Sequence, residues 1–415
     1  MTMKPGEKLD LILKIVLWGL AAAVVYVLGS VLFHGNVYPH NTFLFTGADR
    51  FMDFFNTRHA LKAGFAPYSN PDYLMPHFPF AMFLEYMFTF LPRDLSFTLF
   101  MAGFTAYYLW GARYLLSGDL QGTDLKFRLP AMLLLCYPLL FLLDRANFET
   151  FVYIFLSLFI YLYYQARSRT LASLSLAAAI AMKLFPAIFL LIFLAERDFR
   201  SLAKTAFFSV LLTVGALAVA TGGIAENWAM FSQAQSKYFT LYILGTPDKC
   251  CGLAFGHSFF GVLRLAVASF APENYGQLMR LSVTPYNALV LLYAGAVAVY
   301  VVFLEKTLWR RTAMLVFAFN LLPYVSADYK LIHLLIPVLL FIKAEDKVRA
   351  KTYCVLFGLM LIPKAFYRFG GILSDSGAAD VSLSVVLTPL LMLGASVLLA
   401  ADAIKARRPD TKGGA

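Results

Sequence analysis

The stretch GADRFMDFFNTRHALKAGFAPYSNPDYLMPHFPF, Gly47 to Phe80, is the first long polar interruption in a chain otherwise suited to hydrocarbon. It follows an apolar run from Ile15 to Phe33. It carries two acids four residues apart, Asp49 and Asp53, then Arg58, His59 and Lys62. A Gly64-x-x-Pro67-Tyr68 turn and the prolines Pro71, Pro76 and Pro79 follow. At its end begins an apolar piece, residues 78–92, that fits either a crossing helix or one lying along a membrane surface. That choice fixes the side on which every later loop falls.

The chain has 415 residues, 60% hydrophobic and 14% charged, with mean hydropathy +0.70. Soluble domains carry about 25% charged residues, so this chain cannot cover a water-facing surface. It reads as an all-α polytopic membrane protein, one integral domain over residues 1–415. A crossing helix needs about 20 apolar residues. Runs near that length are 11–33, 95–116, 203–220, 285–304, 352–368 and 384–403. Shorter runs are 129–143, 148–165, 170–183, 186–195, 311–324 and 331–342. The first run is too long for a cleaved signal and reads as an uncleaved helix. With 78–92 and 257–271 taken as interfacial helices, about twelve spans result.

A net charge of +11 would suggest nucleic acid as the partner of a soluble protein. Here the basic residues cluster in short loops between apolar runs, so no nucleic-acid partner is expected. The loops at 1–10, 117–128, 166–169, 196–202, 305–310 and 343–351, with the tail 404–415, hold most of the 35 Lys and Arg. The positive-inside rule puts these in the cytoplasm, with both termini. The long loops 34–94 and 221–284 then lie outside, each with one interfacial helix, and the tail reads as a disordered cytoplasmic end. The setting expected is a bacterial inner or cell membrane. Lys183 and Pro186 sit in the middle of 170–195, where proline breaks a helix. Irregular backbone at that depth must line protein or a wet cavity.

Asp49 and Asp53 would share one side of a helix. A carboxylate within reach of a hydroxyl can act as a general base; the plainer reading is a pair of solvated acids. Charges at the outer ends of spans are Arg145, Lys183, His257, Arg264, Lys330, His333, Lys364 and Arg368. Such cations suit a phosphate, or they simply snorkel. Asp144 beside Arg145 offers a neutralising partner, and Asn147, before Glu149, reads also as a helix cap. Arg58, Asn147, His77 and Tyr68 are candidates for holding an acceptor. Cys136 and Cys354 read as core residues, and the role of the loop pair Cys250-Cys251 stays open. No Walker loop, Rossmann glycine pattern, HExxH or GxSxG occurs. No nucleotide site is visible, so the energy for any reaction would come from an activated substrate reaching the site through the membrane.

Four patches resemble the C-type membrane glycosyltransferases (the GT-C fold), specifically the polyprenyl-phosphate-mannose-dependent family 87, over most of residues 10–345. They are Asp53-Phe54…Ala60…Gly64-x-x-Pro67-Tyr68 with Tyr73 to Pro79; Arg145-Ala146-Asn147; Ala177 to Pro186; and Gly256-His257-Ser258 with Arg264, then Ser326-Ala327-Asp328-Tyr329. His77 interrupts the family's Tyr-Pro-Pro, and Arg145 stands in place of its Gly-Gln. The resemblance implies a lipid-phosphate-sugar donor, a glycan or glycolipid acceptor, an extracytoplasmic site and inversion at the anomeric carbon. Asp53 would be the base and Asp49 would orient the acceptor. Lys183, His257, Arg264, Lys330 and Arg145 would hold the donor phosphate. A divalent metal is not favoured, since two acids with no further ligand make a poor site. The alternative is a lipid transporter or flippase, whose signs would be repeated halves and broken helices; only the 183–186 break fits.

Overall fold

The computed structural model describes residues 3–62, 64–69, 77–116, 120–245, 254–345, 348–365, 372–374, 377–379 and 381–407. Cys250-Cys251, the prolines Pro71 and Pro76, and the tail beyond Arg407 lie outside these residues. Seventeen α-helices run through the described residues. They are α1 (Pro5–His34), α2 (Met52–Leu61), α3 (Pro79–Met87), α4 (Arg93–Leu115), α5 (Leu129–Leu135) and α6 (Tyr137–Arg145). Next come α7 (Glu149–Ile160), α8 (Arg169–Met182), α9 (Leu190–Ala195), α10 (Phe199–Val219), α11 (Gly223–Tyr238) and α12 (Phe259–Phe270). The last are α13 (Tyr275–Val299), α14 (Leu308–Leu321), α15 (Leu335–Lys343), α16 (Ala350–Met360) and α17 (Ser384–Arg407). Among the described residues the strands of an otherwise helical chain are an antiparallel pair, β1 (Ile372–Ser374) and β2 (Gly377–Ala379), with Ile372 opposite Ala379.

Among the described residues four helical stretches are long and apolar enough to cross a membrane: Pro5–His34, Phe199–Val219, Pro272–Leu304 and Ser384–Arg407. A fifth results if the segments around α5 and α6, bent by 56°, act as one. The other apolar runs fold as shorter pieces, for reasons written in the sequence. Pro138 follows an extended Cys136 and splits 129–143 into α5 and α6. Lys183 is extended (φ −151°, ψ 136°), so α8 stops there and a 3₁₀ turn begins at Phe185. The predicted break is therefore present.

The centre is α14 and α15. Every residue from Trp309 to Leu321 is buried, as is every residue from Leu335 to Ile342. Helices buried on every side form the inside of the bundle, α15 apolar from Leu335 to Ile342 and α14 with Arg310, Arg311 and Asn320 among its buried residues. α8 packs on α7 and α10, with small residues Ala177 to Ala181 buried at close approach. By contrast α1 and α13 expose Phe33, Leu291 and Leu292. Bare apolar surface of this kind suits contact with lipid.

The two ends of the bundle differ. At one, the basic loops are knitted together. Lys8 Nζ donates to the Phe341 carbonyl at 2.9 Å. Arg128 pairs with Asp10 at 3.8 Å, Arg169 with Asp198 at 3.8 Å and Arg311 with Glu196 at 2.6 Å. Arg349 meets Asp402 at 3.3 Å, and Arg407 Nε donates to the Leu304 carbonyl at 3.2 Å. Half-exposed ion pairs add little stability, but they show which loops share an end. Helix α17 runs on to Arg407 at this end, so the first residues of the expected disordered tail are helical.

At the other end the two long loops meet. The Phe65 carbonyl accepts from Thr221 N at 2.9 Å, and Tyr68 and Phe78 pack their rings on Phe231 of α11. Each long loop holds two helices rather than the one expected: α2 and α3 in the first, α11 and α12 in the second. α2 and α11 escaped notice because their faces are polar. Gly64 turns the first loop at φ +144°, a backbone conformation L side chains rarely adopt.

Candidate active site

Asp53 lies in the first turn of α2, and aromatic packing fixes that helix. Phe54 is fully buried, with the rings of Phe55, Phe88, Phe97, Phe100 and Phe148 at 5.2–5.9 Å. Such pairs add about 0.5–1.5 kcal/mol each beyond area burial. Phe51 precedes the helix in the left-handed region, φ 62°, and its N–H donates to the Asp144 carbonyl at 2.9 Å. Helix start and α6 end are thus pinned together. Phe54→Ala should cost about 3–5 kcal/mol through the cavity it leaves. Thermal unfolding of the detergent-solubilised protein measures it; a change inside error would mean that the ring cluster does not hold α2.

α6 ends at Ala146, also left-handed at φ 47°, and the turn presents Arg145 and Asn147 to α2. Arg145 binds both acids. Its Nη1 donates to Asp49 Oδ2 at 2.5 Å and to the Asp49 carbonyl at 2.9 Å. Its Nη2 donates to Asp53 Oδ1, and its Nε reaches Asp53 Oδ2 at 3.3 Å. The guanidinium also lies 4.4 Å from the Phe45 ring. Asn147 Nδ2 donates to Asp53 Oδ2 at 2.7 Å, while its Oδ1 accepts from Glu149 N at 2.8 Å. One amide thus ties down the first N–H of α7, from the residue before its N-cap Phe148, and orients the acid. Asp144 pairs with Arg50 at 2.7 Å, not with Arg145. Asp53 keeps 24% of its side chain exposed and Asp49 39%. The acids are held on one flank and open on the other.

A second cluster sits at the break after α8. Lys183 Nζ donates to Glu149 Oε2. Glu149 Oε1 lies 2.8 Å from His333 Nε2. Lys330, with Nζ 4.8 Å from the Phe185 ring, is within electrostatic reach of Glu149 and His333. Glu149 and His333 are both fully buried. Glu149 is the counter-charge of Lys183 and His333 braces it; in the sequence Glu149 is only a polar residue at the start of a span and His333 a charge at a span's outer end.

Between the clusters lie His77, Glu85 and Tyr68. The Tyr68 hydroxyl donates to the His77 carbonyl at 2.8 Å. Burial, then the charge of Lys183, lowers the His77 ring to about 4, against the pull of Asp53 and Glu149, so it is neutral near pH 7. Glu85 on α3 is buried, and among the described residues neither carboxyl oxygen has a hydrogen-bond partner. The nearby Thr57 hydroxyl spends its proton on the Asp53 carbonyl at 2.9 Å. Burial raises the Glu85 carboxyl well above its ordinary 4.5; Lys183 pulls it down and Asp53 up. Glu85 was missed in the sequence, where it is one acid in an amphipathic apolar stretch.

A folded-state value above the unfolded one means that the folded form holds the proton more tightly. Its contribution is full below about pH 4.5 and shrinks above it, by up to about 1.4 kcal/mol per pH unit, until the folded value is reached. Glu85→Gln should therefore gain stability over the wild type as pH rises from 5 to 8. Melting curves of the two proteins that stay parallel would contradict this.

The remaining candidates fall elsewhere. His257 is fully buried, its Nδ1 3.0 Å from Asp328 Oδ1 and its Nε2 2.9 Å from Asn320 Oδ1. Tyr137 donates to the other Asp328 oxygen at 2.7 Å, and Gly256 pairs with Ala327. With both ring nitrogens engaged, His257 fastens the second long loop to residues 326–330. Arg264 is buried on α12 with its Nε 3.3 Å from the Tyr275 hydroxyl, outside the hydrogen bonds of Asp53. Arg58 donates to the Leu91 carbonyl at 2.7 Å and ties α2 to the turn after α3.

The sequence model of glycosyltransferase family 87 matches residues 77–326, more than half of the chain. The matched part contains Arg145, Asn147, Glu149, Lys183 and His257; Asp49 and Asp53 precede it and Lys330 and His333 follow it. No curated protein and no solved structure matches. A transporter without sugar transfer is set aside by the family match. The chain is a membrane glycosyltransferase of the C type and belongs to glycosyltransferase family 87.

Proposed function

We propose that the protein moves a hexose, mannose by its resemblance, from a polyprenyl phosphate to a hydroxyl of a glycan or glycolipid acceptor, with inversion, at the extracytoplasmic face. The observation that carries the reading is the acid end of the bundle. Asp53 is oriented by Arg145 and Asn147 yet open on one flank, and His77 and Glu85 both feel it and Lys183. Proton acceptor and cation therefore bear on one space. About twelve spans and cytoplasmic termini fit the basic loops gathered at the opposite end.

In this reaction the acceptor hydroxyl attacks the anomeric carbon opposite the phosphate. Asp53 takes its proton as the new bond forms. The bond from carbon to phosphate oxygen breaks, and its electron pair leaves on the polyprenyl phosphate. That growing charge is met by Lys183, with Lys330 behind it. Lys183 also holds an acid, Glu149, but keeps 17% of its side chain exposed; His257 is fully buried and Arg145 spends its donors on Asp49 and Asp53, so neither is assigned to phosphate. Asp49 steadies Arg145 and through it Asp53.

The test uses the purified protein in nanodiscs with radiolabelled polyprenyl-phosphate-mannose and a lipid extract as acceptor. Transfer with an inverted anomeric configuration, read by NMR of the product, supports the proposal. Transfer from a nucleotide sugar alone, or retention of configuration, overturns it.

A further inference from the structure

Carboxylates are the usual protein ligands of hard divalent cations, and such an ion needs about six oxygen ligands. The residues present do not fit one. The space between Asp49 and Asp53 is taken by the Arg145 guanidinium, which spends Nη1 on one acid and Nη2 and Nε on the other. Asn147 turns its nitrogen, not its oxygen, to Asp53; that oxygen accepts from Glu149 N. Among the described residues no third His, Cys or acid joins the pair as a ligand group. The aromatic face of Phe45 backs the guanidinium at 4.4 Å, a surface suited to a flat organic cation. A metal ion placed here would stand against a fixed positive charge.

We infer that Arg145 is the resident cation of this site. It is a positioning residue that sets the spacing of Asp49 and Asp53, so that sugar transfer runs without a divalent metal. A planar fork can bind two carboxylates at once; a lysine ammonium cannot hold both in the same geometry. The clamp stands on geometry alone, and only the activity arm of its test rests on the reaction proposed above.

The first arm titrates MnCl2 into the purified wild type and Arg145→Ala and reads Mn2+ by electron paramagnetic resonance. Arg145→Ala, freed of the fixed positive charge but left with two acids and no third ligand, should bind Mn2+ weakly and lose it with Asp49→Asn, and the wild type should bind none there. Mn2+ bound by the wild type and lost with Asp49→Asn overturns the inference, as does an Arg145→Ala protein that binds no more than the wild type. The second arm follows transfer from polyprenyl-phosphate-mannose after EDTA. The wild type should keep its rate. Arg145→Ala should lose about 10²-fold, as expected when a catalytic group is misplaced by about 1 Å, and recover part of it with added guanidinium chloride. Arg145→Lys, which keeps the charge and guards against misfolding, should fall between. Wild-type transfer abolished by EDTA and restored by Mn2+, or Arg145→Ala at wild-type rate, refutes the role. If no protein transfers sugar at all, the reaction reading fails while the Mn2+ arm still decides the clamp.

Discussion

Replacing Asp53 by Asn should lower sugar transfer by about 10²–10⁴-fold, the usual share of a general base, and leave the fold intact. Asn keeps the shape and one carbonyl oxygen, so Asn147 can still donate to it. Arg145 keeps Asp49, both carboxylate and carbonyl. The Phe54 ring cluster, which sets the position of α2, is untouched. What disappears is an acceptor for the hydroxyl proton. The loss should fall on the turnover rate, with the apparent affinity for donor little changed. Asp49→Asn should cost much less, because the Asp49 carbonyl still accepts from Nη1. Equal losses in the two variants would make them one structural unit and remove Asp53 from the role of base.

The second large effect concerns Lys183. Its ammonium neutralises Glu149, whose side chain is wholly buried. Removing one partner of a buried pair costs about 3–5 kcal/mol, because the other charge is stranded. Lys183→Met should thus melt at a much lower temperature and lose transfer, and alone it cannot separate stability from chemistry. The double variant Lys183→Met with Glu149→Gln removes the stranded charge. It should regain most of the melting temperature yet stay inactive with polyprenyl-phosphate-mannose. Recovery of transfer along with stability would reduce Lys183 to a strut. Failure of the second change to restore stability would show that the pair is not what holds the break after α8.

The sequence announced the membrane, the helical class and the break at Lys183, because each is a local property: apolar length, charge content and a proline three residues after a lysine in an apolar run. It marked Asp53 because the acids lie four residues apart in a polar island. It was silent on how they are held. The Arg145 contacts close loops of 92 and 96 residues, and no spacing rule reaches that far. The Asp144 side chain seemed the natural partner for Arg145, but a helix turns neighbours away from each other, and Arg50 takes that acid. His257 looked like a phosphate ligand until Asp328 and Asn320, distant in sequence, were found on its two nitrogens. Glu85 had a signal that could be read: an acid three and four residues after Met82 and Ala81, on the buried face of a short helix.

The helical stretch Pro272–Leu304, with α13 and its internal Pro285 at the middle, runs for 33 residues, which at 1.5 Å each is about 50 Å of rod. A hydrocarbon slab is about 30 Å deep. The rod must lean, or stand proud of the slab, and its lean changes with the acyl chains around it. Tyr286 grips the Leu322 carbonyl at 2.8 Å and rests on Phe260, 4.9 Å away. A change of lean would thus be felt at the floor of the second long loop.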